Sequence, residues 1–172
     1  MSAPELSRIV KARPHPPERL AVEANEAERD ALARRVGVTA IEALHAEVIF
    51  AQDGEAIEAR GTLTARVIQP CAVSGEDFAV AIEEGLALRF VTQVLHAAPD
   101  EEIELAADEA DEIEFDGESF DLGEAIAQSL ALAIDPYADG PNADAARRDA
   151  GIIDESAPRG PLAEALGKLR LN

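Results

Sequence analysis

The sequence predicts an α+β domain, an antiparallel β-meander covered by an amphipathic helix, with an additional N-terminal helix and a flexible C-terminal tail. Three observations carry this expectation. Between Ile41 and Phe90, apolar and polar residues alternate through three successive segments, the period of strands that bury one face. From Leu122 to Ile134 the apolar residues fall instead at helical spacing, the mark of a helix with one buried stripe. The joints between the alternating segments are short and hold turn residues such as Asp53-Gly54, which suit tight antiparallel connections.

Taken in order, residues 5–11 read as a short strand, which Pro14, Pro16 and Pro17 break. Arg19 to Ala24 alternates weakly and reads as a second short strand. Asn25 with Glu28 three residues later opens a helix in capping-box fashion. That helix runs from about Glu26 to Arg35, with Ala31, Leu32 and Val36 as its apolar marks and Gly37 as its stop. In the next segment Leu44, Ala46, Val48 and Phe50 share one face. From Ile57 to Val67 the alternation is the clearest in the chain. Ile57, Ala59, Gly61, Leu63, Ala65 and Val67 lie on one side, and Glu58, Arg60, Thr62, Thr64 and Arg66 on the other. After a loop over Pro70–Asp77, the residues Phe78, Val80, Ile82, Leu86, Leu88 and Phe90 repeat the pattern. Glu84 interrupts that apolar face, and Gly85 reads as a bulge.

Residues 97–111 are acidic and alanine-rich and read as a solvated loop. Glu112–Phe115 is a short strand that ends in the turn pair Asp116-Gly117. Asp121 opens the covering helix, with Glu124 as its capping partner. Leu122, Ile126, Ser129, Leu130, Ala133 and Ile134 form its stripe, and Asp135-Pro136 ends it. A single domain is expected over 1–138, with its core in 40–136. Residues 139–172 read as a flexible linker and a short C-terminal amphipathic helix, marked by Leu162, Leu166 and Leu169 at i, i+4 and i+7.

Composition narrows the class. The chain has 172 residues, a formal net charge of −20 and 47% hydrophobic residues, enough apolar content for a core in one acidic domain. Aromatics are only 3%, so the core is expected to be built of Ala, Val, Leu and Ile. No apolar run reaches membrane-spanning length, and the first residues hold no continuous secretory h-region. The single cysteine, Cys71, cannot form an internal disulfide. A cytoplasmic location with no membrane contact fits these features. The charge is uneven: between Arg89 and Arg147 there is no Lys or Arg, against 16 Asp and Glu. Nucleic-acid affinity comes mostly from cations that displace phosphate counterions. RNA contact is therefore expected only through the ends, where Arg8, Lys11, Arg13 and Arg19, and then Arg159, Lys168 and Arg170, gather.

No assembled catalytic constellation is visible. The chain lacks phosphate-cradling glycine motifs. His15, His45 and His96 are scattered, and none has a positioned partner in the sequence. One cysteine and no paired histidines do not make a zinc site. Aligning Gly117 with the glycine of a calcium-binding loop puts Glu112 first and Gly123 last, where an Asp and a bidentate Glu are required. No cofactor is expected. Cys71 follows a strong strand and reads as a small buried residue in a turn. The nearest cation that could activate it is Arg66.

Two blocks together carry a resemblance. One is Gln69-Pro70-Cys71-Ala72-Val73-Ser74-Gly75-Glu76-Asp77-Phe78. The other is Asp116-Gly117-Glu118-Ser119-Phe120-Asp121-Leu122-Gly123-Glu124 with the helix that follows. Their order and spacing resemble the YceD family, the large-ribosomal-RNA-subunit accumulation proteins, over roughly residues 40–140. The stretch Pro161–Leu169 is also similar to the family's closing helix. Many members have a second cysteine where this chain has Ser74, and further cysteines where it reads Tyr137-Ala138-Asp139-Gly140-Pro141. The resemblance implies a non-enzymatic cytoplasmic accessory factor in large-subunit ribosomal RNA accumulation. It points to Cys71, Asp116, Gly117, Glu118, Asp121, Leu122 and Glu124 as candidate motif or partner-contact residues. The acidic surface suggests a basic protein partner, a ribosomal protein or assembly factor. The alternative is an acidic nucleic-acid mimic that occupies the groove of a basic nucleic-acid-binding protein. The sequence leaves the oligomeric state open.

Overall fold

A computed structural model describes residues 4–92 and 111–152. The elements in chain order are β1 (Ile9–Lys11), β2 (Arg19–Glu23), α1 (Glu26–Val36), β3 (Ala40–Asp53), β4 (Ala56–Pro70), β5 (Asp77–Thr92), β6 (Asp111–Phe115), β7 (Ser119–Asp121), α2 (Leu122–Ala133) and α3 (Ala143–Asp149). The fold is α+β. Its main sheet has the order β2-β3-β4-β5-β6, and β1 and β7 form a separate two-stranded ribbon.

The alternating pattern works as a one-sided burial code. Leu44, Ala46, Val48 and Phe50 of β3, Ala59, Leu63 and Val67 of β4, and Leu86, Leu88 and Phe90 of β5 are all buried. The intervening His45, Glu47, Arg60, Thr62 and Ala87 are not. The helices cover the buried face. Leu122, Ile126 and Leu130 of α2 are fully buried, as is Leu32 of α1. At α1 the expected capping box is present: the Asn25 side chain accepts from Glu28 N at 3.0 Å, and Glu28 accepts from Asn25 N at 2.9 Å.

Five expectations change. First, β6 joins β5 in parallel, Leu88 opposite Asp111 through Thr92 opposite Phe115, so the sheet is only mostly antiparallel. Second, β4 and β5 pair without interruption from Ile57–Phe90 to Pro70–Asp77. Gly85 is therefore no bulge, and the irregularity lies in β3 between Ile41 and Ala43. Third, Ser119–Asp121 is a short strand opposite β1, too short for periodicity to reveal. Fourth, the stretch read as linker from residue 139 holds α3, and Asn142 ties it to Glu76 at 2.7 Å. Alanine and charge content without a long apolar stripe concealed that turn of helix. Fifth, the few aromatics are concentrated rather than absent from the core. Phe120 stacks on Phe90 with ring centroids 3.9 Å apart and meets Phe50 and Phe115 at 6.0 and 5.7 Å. The acidic stretch 97–110 and the C-terminal Leu162–Leu169 segment lie outside the described residues.

Candidate functional site

The second motif block folds as a clasp around the N-terminal segment. Asp116 begins it: its carboxylate accepts from Glu118 N at 2.8 Å and Ser119 N at 3.0 Å. These two donors, Ser119 first, hold that carboxyl below its ordinary range. Gly117, between Asp116 and these donors, has φ +85°, a conformation that side-chain-bearing residues rarely adopt. The turn then meets the chain's beginning. Glu118 O accepts from Ala12 N at 2.8 Å, and Gly117 O accepts from Arg13 Nε at 3.1 Å.

Asp121 is the centre of the clasp. Its carboxylate accepts from Gly123 N at 2.9 Å and Glu124 N at 3.3 Å, which caps α2. It also accepts from Arg8 N and Ser7 Oγ, each at 2.7 Å. A carboxylate at a helix N-terminus satisfies donors that the helix leaves orphaned and meets its positive dipole end. Leu122 N donates to Arg8 O at 3.0 Å. Gly123 makes room for the passing chain, because a Cβ there would lie 2.7 Å from Arg8 N and 2.8 Å from Leu6 O.

Glu124 does not return to the Asp121 backbone as a capping partner. It reaches Arg35 of α1 instead, at 2.6 and 2.8 Å, and Arg35 also holds Glu5 at 3.0 Å. Arg35 keeps the Glu124 carboxyl low and is itself raised, chiefly by Glu124. A matching pair, Arg8 with Glu28 at 2.7 Å, lowers Glu28 on the other side. The block therefore locks β1 and α1 onto α2. It also lines a cleft of about 290 Å³, where Glu114, Asp116, Asp121 and Glu124 lie beside Phe115 and Phe120.

Cys71 lies elsewhere. It follows the far end of β4, whereas Phe120 stacks on Phe90, whose partner Ile57 lies near the strand's start. The structure thus does not bring Cys71 to the motif cleft. The thiol is 3% exposed and takes hydrogen bonds from Gly140 N at 3.2 Å and from Val73 N and Ser74 N at 3.4 Å. Ser74 and Gly140, far apart in the chain, are thereby gathered around it. Backbone N–H groups pointed at sulfur favour a thiolate and oppose a cation, so this donor set does not fit a metal. The Ser74 hydroxyl first, and then the backbone N–H groups of Ser74, Gly140 and Val73, lower the thiol to about 7, against an ordinary value near ~8.5. Sequence reasoning sought a cationic neighbour and missed this effect, which comes from uncharged donors, Ser74 three residues away and Gly140 69 residues away.

A pH prediction follows from that lowered value. The folded state favours the thiolate, so Cys71 contributes stability that is fully present above the unfolded pKa and is lost as pH falls through the folded one. Thiolate absorbance near ~240 nm is expected to titrate with a midpoint of about 7 and to revert to ~8.5 in denaturant. Identical midpoints in both states would refute the account.

The comparisons with known proteins bear on both blocks. A protein-family profile described as "Large ribosomal RNA subunit accumulation protein YceD" matches residues 59–149, more than half of the chain. The chain belongs to the YceD family. Within this YceD chain, the matched stretch spans most of β4, then β5, β6, β7, α2 and α3, and it takes in both Cys71 and the clasp. It leaves out β1 and α1, the elements that the clasp holds. No curated protein matches the chain, and no solved structure matches it.

Proposed function

We propose that this YceD chain is a non-enzymatic accessory factor in large-subunit ribosomal RNA accumulation. We further propose that it works in the cytoplasm by presenting an acidic surface to a basic protein partner of ribosome assembly. The observation that carries the reading is how the cations are used. Arg8, Arg35, Arg60, Arg66, Arg89 and Arg147 are each paired with carboxylates of the chain itself, and Arg13 and Arg29 donate to backbone carbonyls. Half of the described cations are thus engaged by the chain's own carboxylates, while the formal charge is −20. Such a surface attracts basic proteins at long range and repels bare RNA. RNA contact then falls to Lys11, Arg19 and the basic C-terminal residues.

Depletion of the protein tests the reading. Mature large-subunit RNA is expected to fall and its precursors to rise, with small-subunit RNA unchanged. Purification at low salt is expected to recover ribosomal proteins or assembly factors, and the yield should decline as salt screens the contact. Unchanged large-subunit RNA, with no ribosomal component at any salt, would sink the proposal. A stoichiometric complex with a single nucleic-acid-binding enzyme would favour the mimic reading instead.

A further inference from the structure

We propose that the outer edge of β5, from about Ala79 to Ala87, is a docking site for an extended, lysine- or arginine-bearing segment of a protein partner, which adds to the sheet as a strand. This proposal rests on the basic-partner reading above and deepens it.

The first argument is backbone accounting. β5 is 16 residues long and pairs with β4 over Asp77–Phe90. On its other side β6 covers only Leu88–Thr92. Among the described residues, nothing else pairs with that side. Alternate N–H and C=O groups along Ala79–Ala87 therefore face outward, the template that strand addition uses.

The second argument is shape. Beside this edge runs a groove of about 260 Å³, walled by Glu84–Leu88 on one side and by Ser129, Leu132 and Ala133 of α2 on the other. Leu132 is 82% exposed, an apolar surface beside the open edge. Gly85 lines the groove, and the fold does not require it. Its φ is ordinary, and a Cβ there would meet nothing within 4 Å. A strand glycine without a steric reason of its own fits the close approach of another backbone.

The third argument is charge, which selects the occupant. Glu83, Glu84 and Asp111 are exposed at this edge and have no ion pair among the described residues. A second copy of the chain would bring the same carboxylates against them, and like charges across strands repel. A basic segment meets them favourably.

The probe is a synthetic octapeptide of alternating lysine and valine, added to the full chain. Amide hydrogen exchange is expected to slow over Ala79–Ala87 and to stay unchanged in β2. A second peptide of the same sequence and charge, methylated at every backbone nitrogen, has no N–H to give the ladder and is expected to give no protection. The variant Glu84→Lys/Asp111→Lys alters two exposed side chains and is expected to fold normally while binding the first peptide roughly tenfold more weakly. Equal binding of both peptides, or amides already protected in the free chain, would overturn the proposal, as would a dimer of the chain that buries this edge. Recovery of the same ribosomal partners by wild type and variant would reject the edge while leaving the proposed function intact. Loss of large-subunit RNA in cells carrying only the variant would support both.

Discussion

Replacing Phe120 with alanine is expected to destabilise the protein by about 4 kcal/mol, a large share of the stability of a domain this size. Phe120 is 4% exposed and touches three other phenylalanine rings, with Phe90 stacked on it at 3.9 Å. Phe50 comes from β3, Phe90 from β5 and Phe115 from β6. The ring therefore ties β3 to the adjacent pair β5 and β6, which β3 otherwise meets only through β4. Truncation would leave a cavity bounded by stiff strands that cannot close around it. Urea denaturation checks the value, and a cost below ~1 kcal/mol would show that the cluster repacks.

The second large effect is expected at Asp121. Asp121→Ala removes four acceptor contacts at once: two inside α2 and two to Ser7 and Arg8. Loss of a helix cap costs about 1 kcal/mol, and partly buried donors left without a charged acceptor add to it, for a total of about 3 kcal/mol. The local signature distinguishes this variant from a simple capping loss. Hydrogen exchange is expected to rise at Arg8 and along β1, not only in the first turn of α2. If β1 stayed protected, the backbone bonds of β1 to β7, Glu118 and Leu122 would be enough to hold the clasp without the Asp121 carboxylate.

How much of this was legible in the sequence depended on periodicity. β3, β4 and β5 alternate over ten or more residues, and α2 carries a full stripe, so each was visible. The caps at Asn25 and Asp121 were visible too, because capping is local chemistry. The parallel seating of β6 was not, since five residues carry no direction. The meaning of the motif was also hidden. Asp121 could be read as a cap, but its grip on Ser7 and Arg8 spans more than a hundred residues, and no local pattern encodes such a contact. Glu124 looked like the standard capping partner, yet Arg35 outcompeted the backbone for it by offering two charge-assisted bonds. Gly85 was noticed for the wrong reason: a bulge was expected where the pairing is continuous. The Cys71 environment depends on Gly140, which arrives from beyond α2.

The clasp also sets an order of events during synthesis. β1 has its strand partner in β7, and Arg8 and Asp121 are 113 positions apart. At a translation rate of ~5–20 residues per second, the first strand waits for several seconds or more before that partner exists. Through that interval its backbone amides and the Leu6 side chain have no native place to go. The polypeptide closes on itself only when the Asp-Leu-Gly-Glu block emerges, so a late part of the fold completes an early one.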